Sequence, residues 1–221
     1  MSKKIIMACM ALVAFAAFIL PASAMALNDP DLTSGGVLVP KGTSITGTAV
    51  NTEFTTTAGA KEVICSHAHM TGTVTNNSGT SVEGEIPKGS AIFKGSGPTH
   101  ADNGQPECTT NFGNAFITVT TALCIKSDGA LVTDEFIVTG CGANVKFIIG
   151  STTVGECEYE STGSVQGDYT TGGTETKLTT RDTSAGSGSK LIRGGFFCPT
   201  SGALKMTFTL STTNGTKLTI S

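Results

Sequence analysis

Along this chain apolar and polar residues alternate one by one over short stretches, each closed by glycine, asparagine or proline. A period of two belongs to a β-strand with one face on a core and the other toward water. The first candidate strands are "SITGTAV" (44–50), "EFTTT" (53–57), "EVICSHAHMTGTVT" (62–75), "SVEGEI" (81–86), "AIFKG" (91–95) and "AFITVT" (115–120). "DEFIVTG" (134–140), "NVKFIIG" (144–150), "GECEYES" (155–161), "TETKLTT" (174–180), "GGFFC" (194–198), "LKMTFTLS" (204–211) and "TKLTIS" (216–221) follow. Thr, Val and Ile suit a pleated surface, and long helix-forming runs of Ala, Leu, Glu and Lys are absent beyond residue 26. The pattern predicts an all-β fold, an antiparallel β-sandwich or barrel-like single domain.

Turn chemistry adds detail. Asn76-Asn77-Ser78-Gly79 sits between two candidate strands and predicts a hairpin with a four-residue loop. Asn214-Gly215 is the dipeptide preferred in a type I′ turn, which would lock the C-terminal strand into a sheet. The polar stretches 95–107 and 183–189 read as long loops, and "LNDPDLTSGG" (27–36) as a loose N-terminal arm before a single β domain at 37–221.

Residues 1–26 stand apart. Lys3 and Lys4 precede an uncharged apolar run from Ile5 to Leu20, and Pro21 ends it. Ala22-Ser23-Ala24 and Ala24-Met25-Ala26 then offer cleavage after Ala24 or after Ala26. This is the order of a Sec-type signal peptide, and the run is shorter than the ~20 residues that span a bilayer. The expectation is a secreted or periplasmic protein of about 195 residues with no transmembrane segment. Losing the leader removes two lysines and no acid, which moves the formal charge from −3 to −5. Without a basic cluster the chain lacks the electrostatic footprint of a nucleic-acid binder.

Six cysteines remain: Cys65, Cys108, Cys124, Cys141, Cys157 and Cys198. An even count in an exported chain favours three disulfides. Of the fifteen pairings, which the sequence does not separate, the nearest-neighbour scheme 65–108, 124–141 and 157–198 is the expectation. Within it, 124–141 would have to close a loop, because the best turn signal, Asp128-Gly129, is off the midpoint of that pair. No C-x2-C pair occurs, which argues against structural zinc.

Candidate chemistry centres on "CSHAHM" (65–70). Strict alternation puts Ile64, Ser66, Ala68, Met70, Gly72 and Val74 on a core face, and Cys65, His67, His69, Thr71, Thr73 and Thr75 on a solvent face. Two imidazoles in H-x-H can hold a divalent transition metal, and His100 would be the third ligand, drawn near by a 65–108 bridge. The plainer reading is two solvated histidines and no cofactor. Glu156, Glu158 and Glu160 share one strand face, which suits the charged flank of an edge strand better than a calcium site. G-x-S-x-G is absent, and Ser187-Gly188-Ser189-Lys190 matches S-x-x-K without its companion motifs. No Trp and only two Tyr speak against an aromatic sugar platform, and the T-x-T triplets are too irregular for an ice-binding solenoid.

"TGTVTNNSGTSVEGEI", "GGFFCPTSGALKMTFTL" and the cysteine spacing resemble a group of uncharacterised small exported bacterial all-β proteins. The resemblance runs over most of the mature chain, implies no activity and leaves out the His67–His69 pair. The residues therefore point to an exported, non-catalytic envelope or extracellular β protein with a structural or binding role. Its partner would be a protein, a glycan or another copy of itself. The alternatives are a metal-binding protein or metal-dependent hydrolase using His67, His69 and His100, and a subunit of a surface polymer.

Overall fold

The computed structural model describes residues 30–56, 61–94, 108–111, 113–128, 134–151, 155–161, 163–170, 174–181 and 188–220. The leader (1–26), the loop 95–107 with His100, and Ser187 lie outside the described residues. Strands are numbered in chain order.

Hydrogen-bonded neighbours close one ring of eight antiparallel strands. It runs through β3 (Ser44–Thr56), β17 (Thr207–Thr212), β14 (Lys177–Thr180), β13 (Val165–Tyr169), β10 (Glu135–Gly140), β9 (Leu123–Asp128), β5 (Ser81–Ile86) and β4 (Lys61–Asn77), and returns from β4 to β3. A second ring leaves the same β3–β4 ribbon. It passes through β6 (Ala91–Lys94) and β7 (Cys108–Thr110), which share one position, then β8 (Gly113–Val119), β11 (Lys146–Ser151), β12 (Gly155–Ser161), β15 (Ser189–Arg193) and β16 (Ser201–Lys205). Closure satisfies the backbone donors and acceptors that an open sheet leaves at its edges. The all-β, antiparallel, disulfide-bonded, barrel-like architecture read from the sequence is the one observed.

The ribbon serves two rings because its inward set changes parity. On β3, Gly47 and Ala49 are buried, then Thr52 and Phe54; on β4, Val63 and Cys65 are buried, then Ala68, Met70 and Val74. Both strands place two outward residues in succession at the same level, with Val50 opposite His67 and no shift of register. Asn51 adopts φ 57°, the left-handed region that Asn tolerates better than most residues. What reads as two strands, 44–50 and 53–57, is one strand with this hinge.

Each ring has its own filling. Phe54, Phe147 and Tyr159 pack together inside the second, with ring centroids 4.9 Å apart for Phe54–Tyr159 and 5.4 Å for Phe147–Tyr159. Phe54 covers Gly202 of β16, where an added Cβ would overlap its ring and stand 2.5 Å from Thr55 O. The first ring is lined by aliphatic residues together with Phe136 and Phe208.

Three further strands cap the first ring. β1 (Leu32–Ser34) pairs with β2 (Val37–Leu38) on one side and with β18 (Leu218–Ile220) on the other. The expected loose arm at 27–36 is therefore corrected over its described part. Leu32 is buried, and Asn77 clamps it, accepting from Leu32 N at 3.0 Å and donating to Leu32 O at 2.7 Å and Val39 O at 2.9 Å. Pairing with β18 and the Asn77 clamp overcome the polar composition of that stretch. The C-terminal strand is locked into a sheet, but by β1. Gly215 alone takes a positive φ in the Asn214-Gly215 turn, which is not the type I′ geometry.

Candidate functional site

All six cysteines are bridged, in the nearest-neighbour scheme. Cα separations are 4.3 Å for Cys65–Cys108, 5.1 Å for Cys124–Cys141 and 5.6 Å for Cys157–Cys198. Cys124 faces Thr139 across the β9–β10 ladder, and Cys141 lies in the turn beyond, so this bridge does close a loop.

The parity change corrects the expected face of Cys65. It is fully buried inside the second ring, while Ile64 is partly exposed and His67 and His69 point outward. The two imidazoles line an open concavity of about 720 Å³ together with Thr48, Val50, Ile92 and Lys177. Thr71 Oγ1 lies 3.3 Å from His69 Nε2, and Thr48 and Thr209 hydroxyls meet at 3.1 Å. No cluster of three His, Cys, Asp or Glu side chains able to hold a metal occurs among the described residues. His67 and His69 are brought together as read; the third proposed ligand, His100, lies outside the described residues.

The Glu156, Glu158, Glu160 row lies on β12, which is flanked by β11 and β15 and is not an edge. Cross-strand cations compensate the charge: Arg193 approaches Glu158 at 3.3 Å and Glu156 at 3.9 Å, and Lys146 approaches Glu160 at 3.6 Å. Another ion cluster joins Arg181 to Asp168 and Glu135 on the outside of the first ring. Hydrogen bonding from Arg181 holds the Asp168 carboxyl below the usual carboxylate range.

The most distinctive surface feature lies in a stretch where the residue pattern predicts a strand. "GGFFC" is a turn: β15 ends at Arg193, and Cys198 N donates to Gly195 O at 3.1 Å. Phe196 is 96% exposed and Phe197 62%, with their rings edge-on at 5.6 Å. The loop is braced at three points. Cys198 is bridged to Cys157 on β12, the buried Tyr159 donates its hydroxyl to Pro199 O at 3.0 Å, and Leu191 N donates to Thr200 O at 2.9 Å. Burial of Tyr159, with the negative charge of Glu62, raises its phenol above the usual range, so the hydroxyl stays a donor. Glycines before the pair and a proline after it were the sequence signal for a turn.

No helix among the described residues is long and apolar enough to cross a membrane. Comparison with known protein families, with curated proteins and with solved structures finds no match.

Proposed function

We propose that this is an exported, disulfide-bonded β protein that works by binding a protein partner and not by catalysis, with the Gly194–Pro199 loop as its contact element. The observation that carries this reading is the Phe196–Phe197 pair, held out into solvent on a loop that the Cys157–Cys198 bridge makes rigid. Large aromatic side chains in water favour burial at an interface, and a pre-organised loop loses little entropy when it docks. Phenyl rings without a polar handle suit an apolar protein pocket better than a glycan. Three disulfides fit an oxidising compartment, the periplasm or the medium of a bacterium, and the leader at 1–26 supplies the route.

The test replaces Phe196 with a photo-crosslinking residue in the producing cells, beside a control at exposed Lys88. A discrete protein adduct at position 196 that is absent at Lys88 supports the reading; no adduct, or the same adducts at both positions, refutes it. Sedimentation over a range of concentrations shows whether the adduct is a second copy of this chain. Mature protein should begin at Met25 or Leu27 when its N-terminus is sequenced.

A further inference from the structure

Inside the first ring lies a cavity of about 100 Å³. Eight strands enclose an interior just wide enough to be filled by side chains, or to hold one small ligand when they fall short. Here they fall short for an identifiable reason. Gly47 on β3 and Gly84 on β5 both line the cavity. Both positions have room: a Cβ at Gly47 would stand 3.4 Å from Phe208 Cδ1 and 3.7 Å from Leu210 Cδ2, and one at Gly84 3.5 Å from Thr73 O. Neither glycine has a positive φ. Backbone conformation does not demand glycine there, and the consequence of having it is empty space.

The wall decides what can occupy that space. Ile45, Met70, Ile125, Phe136 and Leu210 are typical of it. Four residues of the wall carry polar side chains: Glu85 is exposed, Glu83 turns to Lys126 at 3.8 Å, and Ser127 and Thr180 are hydrogen-bonded. Ser127 Oγ donates to Glu135 O at 2.7 Å, and Thr180 Oγ1 donates to Leu204 O at 3.0 Å. A buried water needs two to four polar partners, and an apolar void without them stays dry and takes apolar guests. Leu32 and Ile220, from the cap of β1 and β18, also line the cavity and are almost fully buried.

From this geometry we infer that the first ring is a binding site for a small nonpolar molecule, a hydrocarbon of up to about four carbons without hydrogen-bonding groups. The site is separate from the Phe196–Phe197 loop and does not depend on it. Entry requires the cap to move, so binding is slow relative to an open groove and stabilises the capped state.

Isoleucine methyl groups report the site selectively. Ile45, Ile86, Ile125 and Ile220 line the cavity; Ile117 and Ile149 are buried in the second ring, and Ile64 and Ile92 lie at the surface. A smaller void of about 60 Å³ adjoining the first has no isoleucine in its wall. The experiment titrates the oxidised mature protein, carrying labelled isoleucine methyls, with xenon and then with isobutane. The expected result is saturable shifts at Ile45, Ile125 and Ile220 with both probes, none at Ile117 and Ile149, and loss of those shifts in Gly47→Val. Gly84→Val repeats the test should Gly47→Val fail to fold. Absence of saturable shifts in the first ring, equal shifts at Ile64 and Ile92, entry of xenon but not isobutane, or shifts that persist in a folded Gly→Val variant would each overturn the proposal.

Discussion

The two rings share a ribbon and a strand number but solve the problem of their interior differently. The second is filled by Phe54, Phe147 and Tyr159 and carries two of the three disulfides, Cys65–Cys108 and Cys157–Cys198. The first is lined mostly by aliphatic side chains, leaves a void beside Gly47 and Gly84, and is closed by a three-stranded cap. Closing a sheet removes its edges, but it does not by itself fill the space enclosed. That depends on which residues face inward. An aromatic ring laid directly over glycine, as Phe54 lies over Gly202 and Phe136 over Gly167, fills it; at Gly47 and Gly84 no side chain comes closer than ordinary contact, and room is left.

The largest effect expected from this contrast is in the packed ring. Phe54→Ala removes a fully buried ring in contact with two other aromatics, and should cost about 3–5 kcal/mol in a denaturation experiment. Leu210→Ala, beside the existing void, should fall toward the low end of the Leu→Ala range, about 2–3 kcal/mol, because the removed atoms already lack partners on one side. Equal costs would mean that the rings are packed alike. Adding a methyl group probes the opposite direction. Gly202→Ala drives a Cβ into the Phe54 ring and should cost about 1–3 kcal/mol. Gly47→Ala meets only ordinary contacts and restricts the unfolded chain, so it should stabilise by up to about 1 kcal/mol. A loss at Gly47 as large as at Gly202 would show that the first ring has no space to spare.

Much of this was legible in the alternation of the chain. Most of the strands and the β4–β5 hairpin follow from local signals, although its turn falls at Ser78–Thr80 with Asn76 and Asn77 still paired in β4, and β9, β13 and β15 carry no such signal. The cysteine pairing is the nearest-neighbour one, but nothing local separates it from the other fourteen. The face of Cys65 does not follow from local signals either, because Val63, Ile64 and Cys65 are three apolar residues in a row, and each parity buries an apolar residue there, Val63 with Cys65 or Ile64. Tertiary closure chooses, through Asn51, whose left-handed backbone reverses the inward set. Nor does the sequence say that β12 is central, since its glutamates read alike beside solvent or beside Arg193 and Lys146. The Phe196–Phe197 loop was hidden by the β-propensity of phenylalanine. The cap was hidden by distance: β1 pairs with β18, at the other end of the described chain, and no local pattern announces that contact.

A smaller effect concerns the bracing of the aromatic loop on the packed ring. Tyr159→Phe keeps the buried ring and its stacking on Phe147 but removes the bond to Pro199 O. The expected cost is about 1 kcal/mol. A chymotrypsin-like protease should also cut faster after Phe196 or Phe197, because the loop loses one of its three ties. Unchanged cleavage would mean that the Cys157–Cys198 bridge and the Leu191–Thr200 bond suffice to fix the loop.

The smallest expected effect lies on the outer face of the hollow ring, where Arg181 Nε donates to both carboxylate oxygens of Asp168 at 3.0 Å and the guanidinium also meets Glu135. The bond from Arg181 lowers the Asp168 pKa, outweighing slight desolvation, and Coulomb attraction adds to it. A depressed carboxyl pKa contributes stability that is fully present above the unfolded-state value of about 3.9 and is lost as pH falls through the folded-state value. Asp168 is largely solvent-exposed, so the contribution is small and salt-sensitive. Arg181→Gln should therefore melt slightly below wild type at neutral pH and low salt. The difference should shrink at high salt and again as pH drops below the ordinary carboxylate range. If the gap persists unchanged at both extremes, Arg181 supports the β13–β14 corner of the hollow ring by the packing of its stem, not by its charge.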